Sequence, residues 1–414
     1  MRISTANSYD RTIDVLQKRQ SELSKLQSQL ATGKRVQKAS DDPVSATLSE
    51  TARNRLARTE ADLRSLEASR ASLQQAESGL AESGELIQQV RELLVAAGNA
   101  TYGPNEREDI ARQLEGLRER LIGVANLKDN AGRTLFGGLG GAATPFADQY
   151  AAPAVPGPTE GVAFYGQRGQ AAAGDRSLPQ TLDGHAIWKE IPRGNGSFVV
   201  NFPTPPTPPN TGTVRSDLGE VVDSGLATGQ SYRIDFATGG GGIEYSITNT
   251  TTSVPVTGHQ NVPYEAGKSI TFDGLRIRLD GNPASGDQLV IAPVSAADPT
   301  DIFAVVQNAI DTLRNPDSAV RTHELSRTMT ELDAGLDKVL LARGRAGEWL
   351  NRADSLEKLM GDRSADYEIE ISRLEDMDLV KGISDFQTKQ TGLEAALKAY
   401  AQVQRLSLFS VING

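Results

Sequence analysis

Proline divides this chain before any other feature does. It has 19 prolines, and all but Pro43, Pro104 and Pro316 fall between Pro145 and Pro299. Inside a helix each proline removes a hydrogen bond and clashes with the preceding turn, at a cost of about 3 kcal/mol. Two nearly proline-free arms therefore flank an insert that cannot be helical over long stretches.

The arms carry helical periodicity. In the first, Ile13, Leu16, Leu23 and Leu30 fall on a 3-4 spacing completed by Gln20 and Gln27. Gly33 then suits the left-handed conformation that ends a helix. A second helix opens at Asp41-Asp42-Pro43. An Asp can accept from the free amides there, and proline fits the first helical position because its missing N–H would be unpaired anyway. Leu56, Leu63, Leu66, Leu73, Leu80, Ile87 and Leu94 follow at heptad-like spacing to residue 98. At 1.5 Å per residue such a helix is on the order of 80 Å long, a rod. After a turn from Gly98 to Pro104, Ile110, Leu114, Leu117, Leu121 and Val124 predict a third helix folding back on the second.

The second arm has the same period. Leu325, Met329, Leu332, Leu336, Val339 and Leu340 open a helix that runs through Leu350, Leu356, Met360 and Tyr367 to Leu374. The pattern resumes with Ile383, Phe386, Leu393, Leu397, Tyr400 and Val403, so a hinge falls near 361–364 or 375–382. Matching periods at opposite ends of the chain predict an antiparallel long-helix bundle made by both arms. The extreme ends look too long and thin to bury their stripes within the chain. The arms are expected to supply the bundle by themselves, so that removing residues 146–295 would leave the helices standing.

The middle reads as strands and turns. Tyr232, Ile234 and Phe236 alternate, as do Ile243, Tyr245 and Ile247, with Gly239 to Gly242 as a hairpin loop. Ile270 and Phe272, then Leu275, Ile277 and Leu279, surround the turn Asp273-Gly274, and Leu289 with Ile291 suggests one more strand. Pro203 to Pro209 is an extended polyproline-type loop. The fold class is mainly α with a β-rich insert.

Chemistry-bearing residues are sparse. There is no cysteine and there are 3 histidines among 414 residues, and the net charge is -10. Disulfides, thiolate sites and Cys nucleophiles are thereby removed, and no basic footprint for nucleic acid is present. His323-Glu324-Leu325-Ser326-Arg327 begins like a zinc-protease helix, but Arg327 stands where the second His ligand would be; it is expected to be an exposed helix stretch. The glycine runs at Gly137-Gly138 and Gly239 to Gly242 lack the Lys-Ser/Thr of a phosphate loop and read as turns. Asp41 and Asp42 suit a cap better than an acid-base pair. No nucleophile elbow occurs. The chain is expected not to be an enzyme and to hold no cofactor or metal. No stretch approaches the roughly 20 apolar residues of a membrane span, and residues 1–8 lack the apolar core of a cleavable signal peptide.

Several segments together resemble a known family. Gly33-Lys34-Arg35 followed by Ala39-Ser40-Asp41-Asp42-Pro43-Val44 resembles the amino-terminal signature of flagellin-like axial proteins, and Pro-Val after the paired Asp is more similar to the hook-associated junction proteins than to flagellin. Gly132-Arg133-Thr134-Leu135-Phe136-Gly137-Gly138 resembles the Leu-Phe-x-Gly element of the junction family, although Thr134 stands where that family often has an aromatic residue. Residues Ile270 to Gly274, with Gly281, Gly286-Asp287 and Val290, are similar to a β segment of hook-associated proteins. The ending, Leu393 to Tyr400 with Val403 and Leu406-Ser407-Leu408-Phe409, resembles that of the same family.

The resemblance implies a subunit of the bacterial flagellum exported unfolded, without a cleaved signal peptide, to form the junction between hook and filament. It implies hook-associated protein 1, flagellin, further copies of the same chain in a ring and an export chaperone as partners, with neither nucleic acid nor membrane. Residues 1–40 and 380–414 would be terminal helices of an inner tube, disordered in the free subunit because their stripe has no partner before assembly. Residues 41–144 and 300–379 would form the long-helix bundle, and 145–299 the outer domain. The assembly interface implied is Ile13, Leu16, Leu23, Leu30, Leu393, Leu397, Tyr400, Val403, Leu406, Leu408 and Phe409. Flagellin itself, the filament subunit, is the alternative.

Overall fold

The computed structural model describes residues 2–99, 102–140, 142–150, 161–171, 178–204, 207–294 and 299–412, with side chains described only between 10 and 402. In chain order the elements are α1 (Arg2–Thr32), α2 (Pro43–Ala97), α3 (Pro104–Ala125), β1 (Phe146–Asp148), β2 (Val162–Phe164), α4 (Gly184–Trp188), β3 (Phe198–Asn201), β4 (Arg215–Ser216) and β5 (Glu220–Val221). They continue with β6 (Tyr232–Gly239), β7 (Gly242–Asn249), β8 (Val254–Pro255), β9 (Val262–Pro263), β10 (Ser269–Phe272), β11 (Leu275–Asp280) and β12 (Gln288–Pro293). The last helices are α5 (Ile302–Arg314), α6 (Ser318–Glu375) and α7 (Leu379–Ile412). The chain divides into two compact units, Met1–Ser65 with Ser355–Gly414, and Leu66–Asp354.

Helix ends follow local chemistry. Asp42 accepts from the Ser45 amide at 3.1 Å and caps α2, whose first residue is Pro43. Asp301 accepts from the Ala304 amide at 2.7 Å to start α5, and Asp317 accepts from the Ala319 amide at 2.8 Å to start α6. Each cap satisfies amides that the first turn leaves unpaired.

In unit Leu66–Asp354, Leu66, Leu73, Leu80, Ile87 and Leu94 of α2 are all buried, as their heptad spacing predicts. They share this core with Ile110, Leu114 and Leu121 of α3 and with Phe303, Val306 and Ile310 of α5. Helix α5 did not emerge from periodicity, which opens the second arm at Leu325. It sits directly behind the last proline of the insert, and its 13 residues give a short apolar run whose type spacing alone does not settle.

The insert contributes to the helical core. Trp188 of α4 packs edge-on against Phe136 at 4.6 Å and against Phe146 of β1 at 5.5 Å, and Phe146 meets Phe303 of α5 at 5.8 Å. The arms therefore do not supply the bundle's packing alone, because Phe146 and Trp188 of the insert join Phe136 and Phe303 in it. Beyond them the β segment forms a six-stranded sheet, β3-β12-β6-β7 with β8 and β9 both on β7, and a four-stranded sheet, β10-β11-β4 with β5 also on β11. Tyr232, Ile234, Phe236, Ile247, Ile277 and Leu289 alternate inward between them. Asp273 (φ 44) and Gly274 (φ 77) turn β10 into β11 with both residues left-handed, the geometry of a tight hairpin.

His323 is not exposed, contrary to the expectation from sequence: it is 2% accessible. Its Nε2 lies 2.8 Å from the Val200 carbonyl oxygen on β3, and its Nδ1 lies 3.1 Å from the Ser216 carbonyl oxygen on β4. One side chain of α6 thus covers an edge of each sheet, where unpaired backbone groups would otherwise invite strand addition. His323→Ala removes the ring N–H, which a neutral imidazole gives to one of these two carbonyls, and empties a buried site between the strands, so it is expected to destabilise the chain by about 3 kcal/mol. Urea unfolding read at equilibrium checks it, and a loss below about 1 kcal/mol would show that solvent replaces the ring.

Candidate assembly interface

The terminal helices are neighbours within one chain. Arg19 Nη1 donates to the Gly392 carbonyl at 2.9 Å, and Lys389 Nζ lies 3.1 Å from Glu22 Oε2. Gly382 faces Leu30, and a Cβ on it would lie 3.0 Å from Leu30 Cδ2. Rising numbers on α1 meet falling numbers on α7, so the pair is antiparallel. The periodic stripes, expected to be unpartnered within the chain, find one another.

The pairing covers one side of each helix. Leu16, Leu23 and Leu30 of α1 and Leu393 and Tyr400 of α7 are half-buried, with Leu26 the most buried member of α1. Leu26 is missing from the sequence series, which passes through Gln27, although it lies three residues after Leu23 and four before Leu30. Ile13 is 38% exposed and Leu397 is 49% exposed. Val15 of α1, and Leu379, Val380 and Ile383 of α7, add to the apolar surface left in water. Val403, Leu406, Leu408 and Phe409 are in the helical backbone of α7, but their side chains lie outside the described residues.

Asp41, Asp42 and Pro43 come together at an elbow of the same unit. Gly33, at φ 71, ends α1, and its carbonyl accepts from the Met377 amide at 2.9 Å. The Arg35 and Val36 amides both donate to the Glu375 carbonyl, at 2.6 and 3.2 Å. Lys34 Nζ is 2.9 Å from Glu375 Oε2, and Arg53 reaches the same oxygen. Arg35 joins Asp42 at 3.0 Å, and Lys25 joins Asp41 at 2.7 Å. The loop after α1 is thus pinned to the break between α6 and α7, which places the expected hinge at residues 376–378. Leu135 and Phe136 belong to the other unit, where both are buried core; the Leu135 carbonyl accepts from the Leu182 amide at 2.7 Å.

Burial pushes the Glu375 carboxyl up, but hydrogen bonds from Lys34 and Ser49 and the charge of Arg53 outweigh it and hold it below the ordinary glutamate range. Hydrogen bonds from the Ser45 hydroxyl and amide, then from Arg35, hold Asp42 at about 2. Both folded values lie below the unfolded ones, so both groups add stability above the carboxylate range and lose it as pH falls through their folded values. Amide exchange at Arg35, Val36 and Ser45, corrected for intrinsic rates, should therefore quicken on acidification from pH 4.5 toward 2. Unchanged protection at low pH would mean that the backbone bonds hold the elbow unaided.

Among the described residues no helix is long and apolar enough to cross a membrane, and no three His, Asp or Glu side chains gather as a metal site.

Residues 3–140 match the family model for the bacterial flagellin N-terminal helical region, the stretch that holds α1, α2, α3 and the elbow at the paired Asp. Similarity from end to end is found with flagellar hook-associated proteins 3. The chain is 26% identical to flagellar hook-associated protein 3 of Escherichia coli K12, over 99% of each. The solved structure of flagellar hook-associated protein 3 from Legionella pneumophila shares the fold at a TM-score of 0.69, with 22% identity over 78% of this chain and 98% of that one. Similarity to flagellin of Bacillus subtilis is 28%, over 31% of this chain and 42% of that one.

Proposed function

We propose that this chain is a structural subunit of the bacterial flagellum that forms the junction between hook and filament and templates flagellin assembly. The observation that carries this reading is the similarity to hook-associated protein 3 over 99% of both chains, where the flagellin similarity covers 31% of this one. The terminal helices supply the assembly surface. In the isolated subunit Ile13 and Leu397 stand in water on the helices whose other face is taken. Burying such residues against neighbours contributes about 25 cal/mol per Å² of apolar surface removed from water.

The subunits bind one another in a ring through the exposed Ile13 and Leu397, the uncovered parts of Leu16, Leu23, Leu30, Leu393 and Tyr400, and the continuation of the series at Val403, Leu406, Leu408 and Phe409. Hook-associated protein 1 lies on one side and flagellin on the other, outside the cell, and an export chaperone is a further partner before assembly. Residues 1–40 and 380–414 are ordered fully only in that assembly. The elbow at Asp41, Asp42 and Pro43 holds the loop after α1 against the break between α6 and α7, and residues 145–299 are the outer domain of the assembled subunit.

Electron microscopy of cells lacking the gene, with the spent medium assayed for flagellin, tests this. The expected result is bare hooks and flagellin shed into the medium, because export continues while the filament has no template. Hooks that still carry filaments would overturn the reading.

A further inference from the structure

Unit Leu66–Asp354 contains a cleft of about 650 Å³ that plays no part in the terminal helices. It lies among α3, α5, α6 and β3, and three guanidinium groups line it, those of Arg118, Arg193 and Arg327. Arg118 is the unusual one, at 7% exposed. Its guanidinium carbon sits 4.8 Å over the Tyr150 ring, and Nη1 donates to the Gln307 side-chain oxygen. Nη2 is 3.8 Å from Asp148 Oδ2, and the buried Nε has no acceptor among the described residues. A tight Arg–carboxylate bond is about 2.7–2.9 Å long, so this buried cation lacks one. Burying a charge without a close partner is costly.

The acids on the same wall have partners other than Arg118, and Glu331 lies 3.9 Å from Arg327 Nε. Glu115 pairs with Arg314 at 3.0 Å, and Asp311 accepts from Gln307 Nε2 at 3.0 Å. Glu331 Oε1 accepts from the Gly194 amide at 2.9 Å. Burial pushes the Glu331 carboxyl up toward its neutral form, against the pull of that hydrogen bond and of Arg327. What the cleft offers a visitor is one pre-placed guanidinium, that of Arg118, stacked on an aromatic ring and short of an acceptor; Arg327 is engaged by Glu324 and by Asn201 Oδ1 at 3.0 Å.

We propose that this cleft binds a small multivalent oxyanion of the phosphate or polycarboxylate type, with Arg118 as its principal ligand. The planar fork of arginine matches such oxyanions, and stacking on Tyr150 fixes the fork before the anion arrives. The site is independent of the junction reading, since no step of assembly uses it.

Calorimetric titration of the full chain with sodium phosphate and with sodium citrate, against sodium chloride at matched ionic strength, tests the proposal. Saturable heat at one site per chain is expected from phosphate or citrate and not from chloride. Arg118→Met should weaken binding by roughly tenfold or more. Asn308→Asp places a carboxylate at the exposed lip of the cleft. It should weaken binding several-fold while leaving the anion-free melting temperature unchanged, so it decides the matter if the Arg118 variant fails to fold. Absence of saturable binding, an equal response to chloride, undiminished affinity in Asn308→Asp, or a response that grows with protein concentration as copies associate would each overturn it.

Discussion

Ile13→Asp combined with Leu397→Asp is expected to leave the isolated subunit's melting temperature within about 2 °C of the parent, while cells carrying it as their sole copy lose their filaments and their motility. The two effects separate because the two side chains are 38% and 49% exposed in the subunit. A carboxylate at either position stays in water there, and surface substitutions of that kind usually change stability by no more than about 0.5 kcal/mol. In an assembled tube the same carboxylates would be taken out of water without partners, at several kcal/mol each, and the cost would recur in every copy. Leu26→Asp is the informative contrast. Leu26 is already buried between α1 and its neighbours, so its replacement should lower the subunit's own stability by about 3 kcal/mol. Cells that keep filaments with the double variant would show that the exposed faces of α1 and α7 are not the assembly surface. A collapsed melting transition would show that they are already packed within the subunit.

The periodic features of this fold were legible because they are local. Heptad spacing located the buried series from Leu66 to Leu94, and alternation located the β6–β7 and β10–β11 hairpins with their turns. The polar devices were not legible, since their partners are remote. Glu375 bonds Lys34 and Arg53 across 341 and 322 residues, and His323 meets carbonyls 107 and 123 residues away. One sequence carries no signal at such separations, so a buried His on an amphipathic helix reads as a surface one. The terminal helices show a subtler limit. A 3-4 stripe has the same spacing whether it meets its own chain or another, and the coordinates alone divide the half-buried Leu16, Leu23 and Leu393 from the exposed Ile13 and Leu397. Spacing marks these residues as one stripe, and it does not mark the face that each one presents.

Two excisions test where the insert truly begins. Removing residues 198–293 and joining Ser197 to Val294 is expected to preserve the helical circular dichroism and a cooperative melt. The new junction costs little, because the Val294 amide already donates to the Ser197 carbonyl at 2.9 Å. His323 is covered by β3 and β4, and without them it returns to water with nothing left unpaired. Removing residues 146–293 is expected to abolish the cooperative melt. That cut takes Phe146 and Trp188 away from Phe136 and Phe303, and loss of one buried Phe or Trp side chain alone costs about 3–5 kcal/mol. Two such losses approach or exceed the 5–15 kcal/mol by which a typical domain is stable. If the larger excision melted as cooperatively as the smaller, the aromatic cluster would be an ornament of the insert, and the helices would hold together on α2, α3, α5 and α6 alone. If the smaller one unfolded, the two sheets would have to be counted as part of the core that supports the rod, and His323 as one of its main joints.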